Sequence, residues 1–118
     1  MISDERAEKA LRYLVDTDEP CALAKAEMER AEYGWKATRE AVFTHAEGTV
    51  AERQAIAATH HATKEAHDRY CAAIAVYSKM ANKRETERIV LDTWRTIQAN
   101  KRQGYKKPHR SGANSVRS

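Results

Sequence analysis

The chain has 118 residues, enough for one domain, and 32% of them are charged, while alanine leads a hydrophobic fraction of 42%. A net charge of +4, a mean hydropathy of −0.80 and no apolar run near the roughly 20 residues of a membrane span set aside an integral membrane protein. The opening "MISDERAEKALRYL" is acidic and has no apolar stretch of the signal-peptide kind, so a cytoplasmic location is expected. Cys21 and Cys71 lack metal or redox spacing and read as reduced thiols. Gly and Pro are nearly absent before residue 104, and no stretch alternates apolar with polar residues. Ala, Glu, Lys and Arg lose little side-chain freedom in a helix, so the composition predicts long helices and no strands.

The first helix is predicted at about residues 4–15, with Ser3 as N-cap and Asp4 and Glu5 in the first turn. Ala7, Ala10, Leu11 and Leu14 fall on one apolar stripe. "DTDEP" interrupts the pattern, and Pro20 is tolerated in the first turn of a second helix at about 18–46. Along it Cys21, Ala24, Met28, Ala31, Trp35, Thr38, Val42 and His45 recur at alternating spacings of three and four, a thin heptad seam. Trp35 reads as a core anchor of that seam. Gly34 lies within this helix and costs about 1 kcal/mol relative to Ala.

"HAEGTVAER" punctuates the chain most clearly. Gly48 suits the left-handed residue past a helix end, and Thr49 with Glu52 forms a capping box for the next helix. So short a reversal predicts an antiparallel hairpin. The third helix is expected at about 50–102 and would reach about 80 Å. Ile56, Thr63, Tyr70, Ile74 and Tyr77 mark its early seam, while Val90, Leu91, Trp94 and Ile97 form a later apolar cluster. That later cluster needs a cover, either the first helix through Leu11, Leu14 and Val15 or a second copy of the chain. Val90, Leu91, Trp94 and Ile97 are therefore candidates for a protein interface. The predicted fold class is all-α: an elongated, coiled-coil-like antiparallel hairpin over 1–103 with a short leading helix, and a disordered basic tail over 104–118.

Charge divides unevenly. Residues 1–59 carry 8 Lys or Arg against 12 Asp or Glu, and residues 60–118 carry 13 against 5. Residues 101–118 hold six cations and no acid, so the high pI belongs to the tail and the helical body is near −2. Six cations near a polyphosphate displace counterions. Tyr105 and His109 lie among them and suit stacking on unpaired bases. Lys101, Arg102, Tyr105, Lys106, Lys107 and Arg110 are the candidate nucleic-acid contacts. Upstream, Lys79, Lys83, Arg84, Arg88 and Arg95 interleave with Glu85, Glu87 and Asp92, which reads as a solvated face of ion pairs.

No reaction is expected. There is no nucleophile elbow or P-loop, and "HHATKEAH" is not the order a zinc protease uses. The predicted hairpin offers no catalytic pocket, metal, cofactor or small-molecule substrate. "RIVLDTWRTIQANKR", with the long helix before it and the "EGTVAER" turn, resembles small helical proteins of bacteriophages and prophages found among recombination and replication genes. The likeness covers about residues 5–103. It implies an accessory role near phage DNA in a bacterial host cell and transfers no functional residues. The alternative is a protein-binding inhibitor or adaptor that occludes a host or phage enzyme by helix-in-groove contact.

Overall fold

The computed structural model describes residues 1–106. It is all-α, with α1 at Asp4–His45, α2 at Val50–Thr59, α3 at His61–Lys106 and no strand among the described residues. The chain reverses between α1 and α2 into the antiparallel helical hairpin that the sequence predicts. It divides into two compact units, one formed by Asp16–Lys83 and the other by Met1–Val15 with the chain from Arg84 onward.

The reversal is built from local chemistry. Gly48 has φ 118°, a backbone that side chains disfavour, and a Cβ there would stand 2.7 Å from Glu52 Oε1. The Glu52 amide donates to Thr49 Oγ1 at 3.1 Å, and the Thr49 amide donates to Glu52 Oε1 at 2.7 Å. Each side chain thus satisfies a backbone N–H that the helix start leaves open. The Thr49 backbone bond, helped by its hydroxyl, holds the Glu52 carboxyl below the usual range. Its contribution to stability is complete above the ordinary glutamate range and is lost as pH falls through the depressed value. Thr49→Ala should cost about 1 kcal/mol in thermal melts at neutral pH. The gap between parent and Glu52→Gln should close on acidification, and a gap that widened in acid would contradict this assignment.

Three predicted boundaries move. α1 runs through "DTDEP" with Pro20 inside it, instead of breaking into helices at 4–15 and 18–46. Proline removes one helical hydrogen bond and crowds the carbonyl four residues back. However, Ala7, Ala10, Leu14, Thr17, Cys21 and Ala24 keep the three–four spacing in phase across it, and all six are buried or half-buried. Continuous packing outweighs the local breaker. Conversely, the expected helix over 50–102 is interrupted at His60, which is extended at φ −62° and ψ 140°. The His60 amide closes α2 on Ile56 O at 2.9 Å, and its Nδ1 accepts from the Ala62 amide at 3.0 Å, so its imidazole serves as the N-cap of α3. At the far end α3 continues through Gly104 to Lys106. One glycine costs about 1 kcal/mol, too little to stop a helix already propagating.

In the unit made by the chain's two ends, Ser3 Oγ accepts from the Arg6 amide at 3.0 Å, the predicted N-cap. Ala7, Ala10 and Leu91 are buried together, with Leu14, Val90 and Trp94 packed against them. The first predicted helix is therefore the cover for that cluster, but through Ala7, Ala10 and Leu14; Leu11 and Val15, expected to share in it, are 49% and 67% exposed. In the other unit, Cys21, Ala24, Met28, Ala31, Trp35, Thr38 and Val42 are half-buried as predicted, as are Tyr70, Ile74 and Tyr77, while Thr63 is buried; Trp35 stacks on Tyr70 across the seam. His45 and Ile56 leave it. His45 is exposed, with Nδ1 2.9 Å from Ala41 O, and Ile56 is 41% exposed. Cys21 and Cys71 are free thiols.

Candidate functional site

Charge on the end of α3 is largely cancelled before residue 101. Arg88 pairs with Glu85, and Arg95 pairs with Asp92 at 3.2 Å. Arg84 donates to Leu14 O at 2.7 Å. The Arg88–Glu85 and Arg95–Asp92 bonds are the one-turn pairs of a solvated helix face, each contributing a few tenths of a kcal/mol, whereas Arg84 reaches across to α1. Lys101 and Arg102 are exposed on the same helix. The Tyr105 and Lys106 side chains, and Lys107 and Arg110 altogether, lie outside the described residues.

The candidate interface Val90, Leu91, Trp94 and Ile97 is largely closed from within. Leu91 is 7% exposed against Ala7 and Ala10. Val90 and Trp94 are half-buried on the same cluster, and Trp94 Nε1 donates to Asp4 Oδ1 at 2.9 Å. Ile97 is half-buried. The apolar stripe of α1, Ala7 with Ala10, occupies the face that the sequence left open. Leu91 is thus a core residue of its own chain.

The same unit contains a half-buried ion pair. Arg6 reaches Glu87 with both guanidinium nitrogens, at 2.6 and 2.9 Å, and the Glu87 side chain is only 9% exposed. These hydrogen bonds push the Arg6 guanidinium further above its ordinary range. Removing Arg6 takes a charge-assisted, two-point bond from a largely buried carboxylate, whereas replacing both partners with apolar residues removes the desolvation cost as well. Arg6→Ala should therefore lower Tm more than the double change Arg6→Met with Glu87→Leu does. Equal losses would mean that the pair carries no coupling.

A second constellation, not singled out by the sequence, lies in the unit of Asp16–Lys83. Trp35 is stacked with Tyr70 at 5.6 Å and 17°, and meets His67 edge-on at 4.7 Å. The Arg39 guanidinium lies over the Trp35 ring at 4.9 Å. Beside them an open groove of about 350 Å³ runs between α1 and the α2–α3 break, lined by Trp35, Arg39, Thr63, Lys64, His67 and Asp68 among others. Thr63 is 3% exposed, and its Oγ1 has no hydrogen-bond partner. Cys71 Sγ is 3.7 Å from His67 Nδ1. Trp35 is a seam residue, as its spacing predicts. Its cations come from one turn along α1 and from the facing helix, so periodicity along one helix does not bring them together.

Among the described residues no three His, Cys, Asp or Glu side chains converge as metal ligands, and no helix is long and apolar enough to cross a membrane. No protein-family model matches the chain, and searches of curated proteins and of solved structures find no match.

Proposed function

We propose that the chain is a non-enzymatic accessory protein of the phage type, acting near nucleic acid in recombination or replication and holding phosphates with its basic C-terminal segment. The observation that carries this reading is the distribution of charge. Cations on the helices pair locally, as Arg12 with Glu8, Lys36 with Glu32 and Arg95 with Asp92 do. Residues 101–118 instead place six cations in a row of sequence without an acid. A helical scaffold that is nearly neutral and a concentrated positive end suit a protein that tethers something else to a polyphosphate. If all six cations meet phosphates, log K for a single strand should fall with log salt at a slope of about −4. Binding that ignored salt would overturn the reading.

A specific observation also favours the adaptor reading. No large side chain is fully buried among the described residues, while Leu11, Val15, Leu23, Tyr33, Val76 and Ile89 are each at least 49% exposed. Apolar surface of this kind suits a protein partner. Capture from nuclease-treated host lysate separates the two: a partner retained without nucleic acid supports the adaptor.

A further inference from the structure

We infer that the groove beside Trp35 is a second nucleic-acid contact, taking one unpaired base of a single strand against the Trp35–Arg39 pair with the adjoining phosphate at Lys64. The inference rests on the proposed nucleic-acid role and moves part of that role from the basic segment onto the helical body.

The groove combines the three kinds of group such a ligand needs. Arg39 lies over the Trp35 ring at 4.9 Å, too close to admit a base between them, so a flat ring stacks on the outer face of the guanidinium that the indole backs. Tyr70 and His67 brace the indole from the facing helix, so little freedom is lost when a base arrives. Lys64 and Arg39 are exposed cations, and among the described residues neither is held by a carboxylate. This contrasts with Arg30 and Lys36 on the same stretch of α1, which are neutralised by Glu27 and Glu32. Asp68, on the groove wall, provides an acceptor for a base N–H. Thr63 adds an independent sign that the site is incomplete. A hydroxyl nearly closed from solvent has no partner on the groove wall, at the first turn of α3, although buried polar groups are ordinarily paired. The volume, about 350 Å³, accommodates a base and its sugar but not a duplex. An unpaired base exposes the ring face that such a surface needs, whereas a paired base does not.

The test uses the full chain carrying Trp94→Phe, which leaves Trp35 as its one tryptophan. Oligothymidylate and an abasic strand of equal length are titrated at low salt, with thymidine monophosphate as a third probe. Trp35 emission should fall with oligothymidylate and stay constant with the abasic strand. Lys64→Gln should weaken oligothymidylate about tenfold and the abasic strand much less. A fall with the mononucleotide as well would support the groove and identify a free nucleotide as sufficient. Because Trp94→Phe removes the bond to Asp4, the parent chain is also photo-crosslinked to oligothymidylate, with the adduct expected on the peptides carrying Trp35 or His67. If both strands bind equally and leave Trp35 emission and crosslinking unchanged, this inference fails and the basic segment remains the contact. If neither strand binds, both readings fail.

Discussion

A chain cut before Lys101 should bind single-stranded or duplex DNA with almost no dependence on salt. Residues 101–118 supply six of the 21 Lys and Arg, and all the cations that have no acidic residue in their own segment. Contacts with six phosphates would make the full chain lose roughly a thousandfold in duplex affinity between 50 and 200 mM salt. The cut removes that term, since the remaining helical cations are mostly matched to acids and contribute few phosphate contacts. At 50 mM salt the truncated chain should bind at least a hundredfold more weakly. The buried cluster ends at Trp94, so circular dichroism should find the helices of the cut chain intact apart from the missing end of α3. A slope that survived the cut would assign the phosphate contacts to the helical body, and the basic segment would then be only a solvated extension.

What could be read from the sequence depended on how local its cause was. The Thr49–Glu52 box lies within four residues and formed as read. The half-buried seam from Cys21 to Val42 follows from spacing alone, because a helix turns by a fixed angle whatever its neighbours are. The antiparallel reversal at Gly48 was also legible, and Arg53 lies over Phe43 at 4.2 Å across it. Two boundaries were not legible because local and tertiary preferences conflict there. Pro20 has a strong local signal for a break, but the seam continues through it. His60 has no strong signal, yet its imidazole captures the Ala62 amide and divides what looked like one helix. That break lies beside the groove at Trp35, whose walls come from three helices. A site assembled across helices depends on register and on such a break together, and neither is visible in the spacing of a single helix. The cover over Leu91 was not legible for the complementary reason. Its apolar pattern was read correctly, but the pattern does not say whether the cover comes from the same chain.

Leu91→Ala should be the most damaging single substitution in the helices, at about 3 kcal/mol. The unit formed by the chain's two ends buries three apolar residues, and two of them, Ala7 and Ala10, end at Cβ. Small neighbours cannot swing into the space that Leu91 vacates, so the gap persists unless the helix backbones themselves move closer. That is the circumstance in which a leucine truncation costs both its transfer energy and a cavity. The consequence is a local one as well. Hydrogen exchange should accelerate over residues 4–15 and 84–100, where Leu91 is the buried anchor, and should change little over α2. Ile89→Ala is the matched control, two residues away on the same helix and 57% exposed. It should shift stability by no more than about 0.5 kcal/mol. Urea melts that gave the two variants equal losses would mean that Ala7 and Ala10 do not close over Leu91 in solution. The apolar face of α3 would then be open to a partner, and the adaptor reading would gain a further surface.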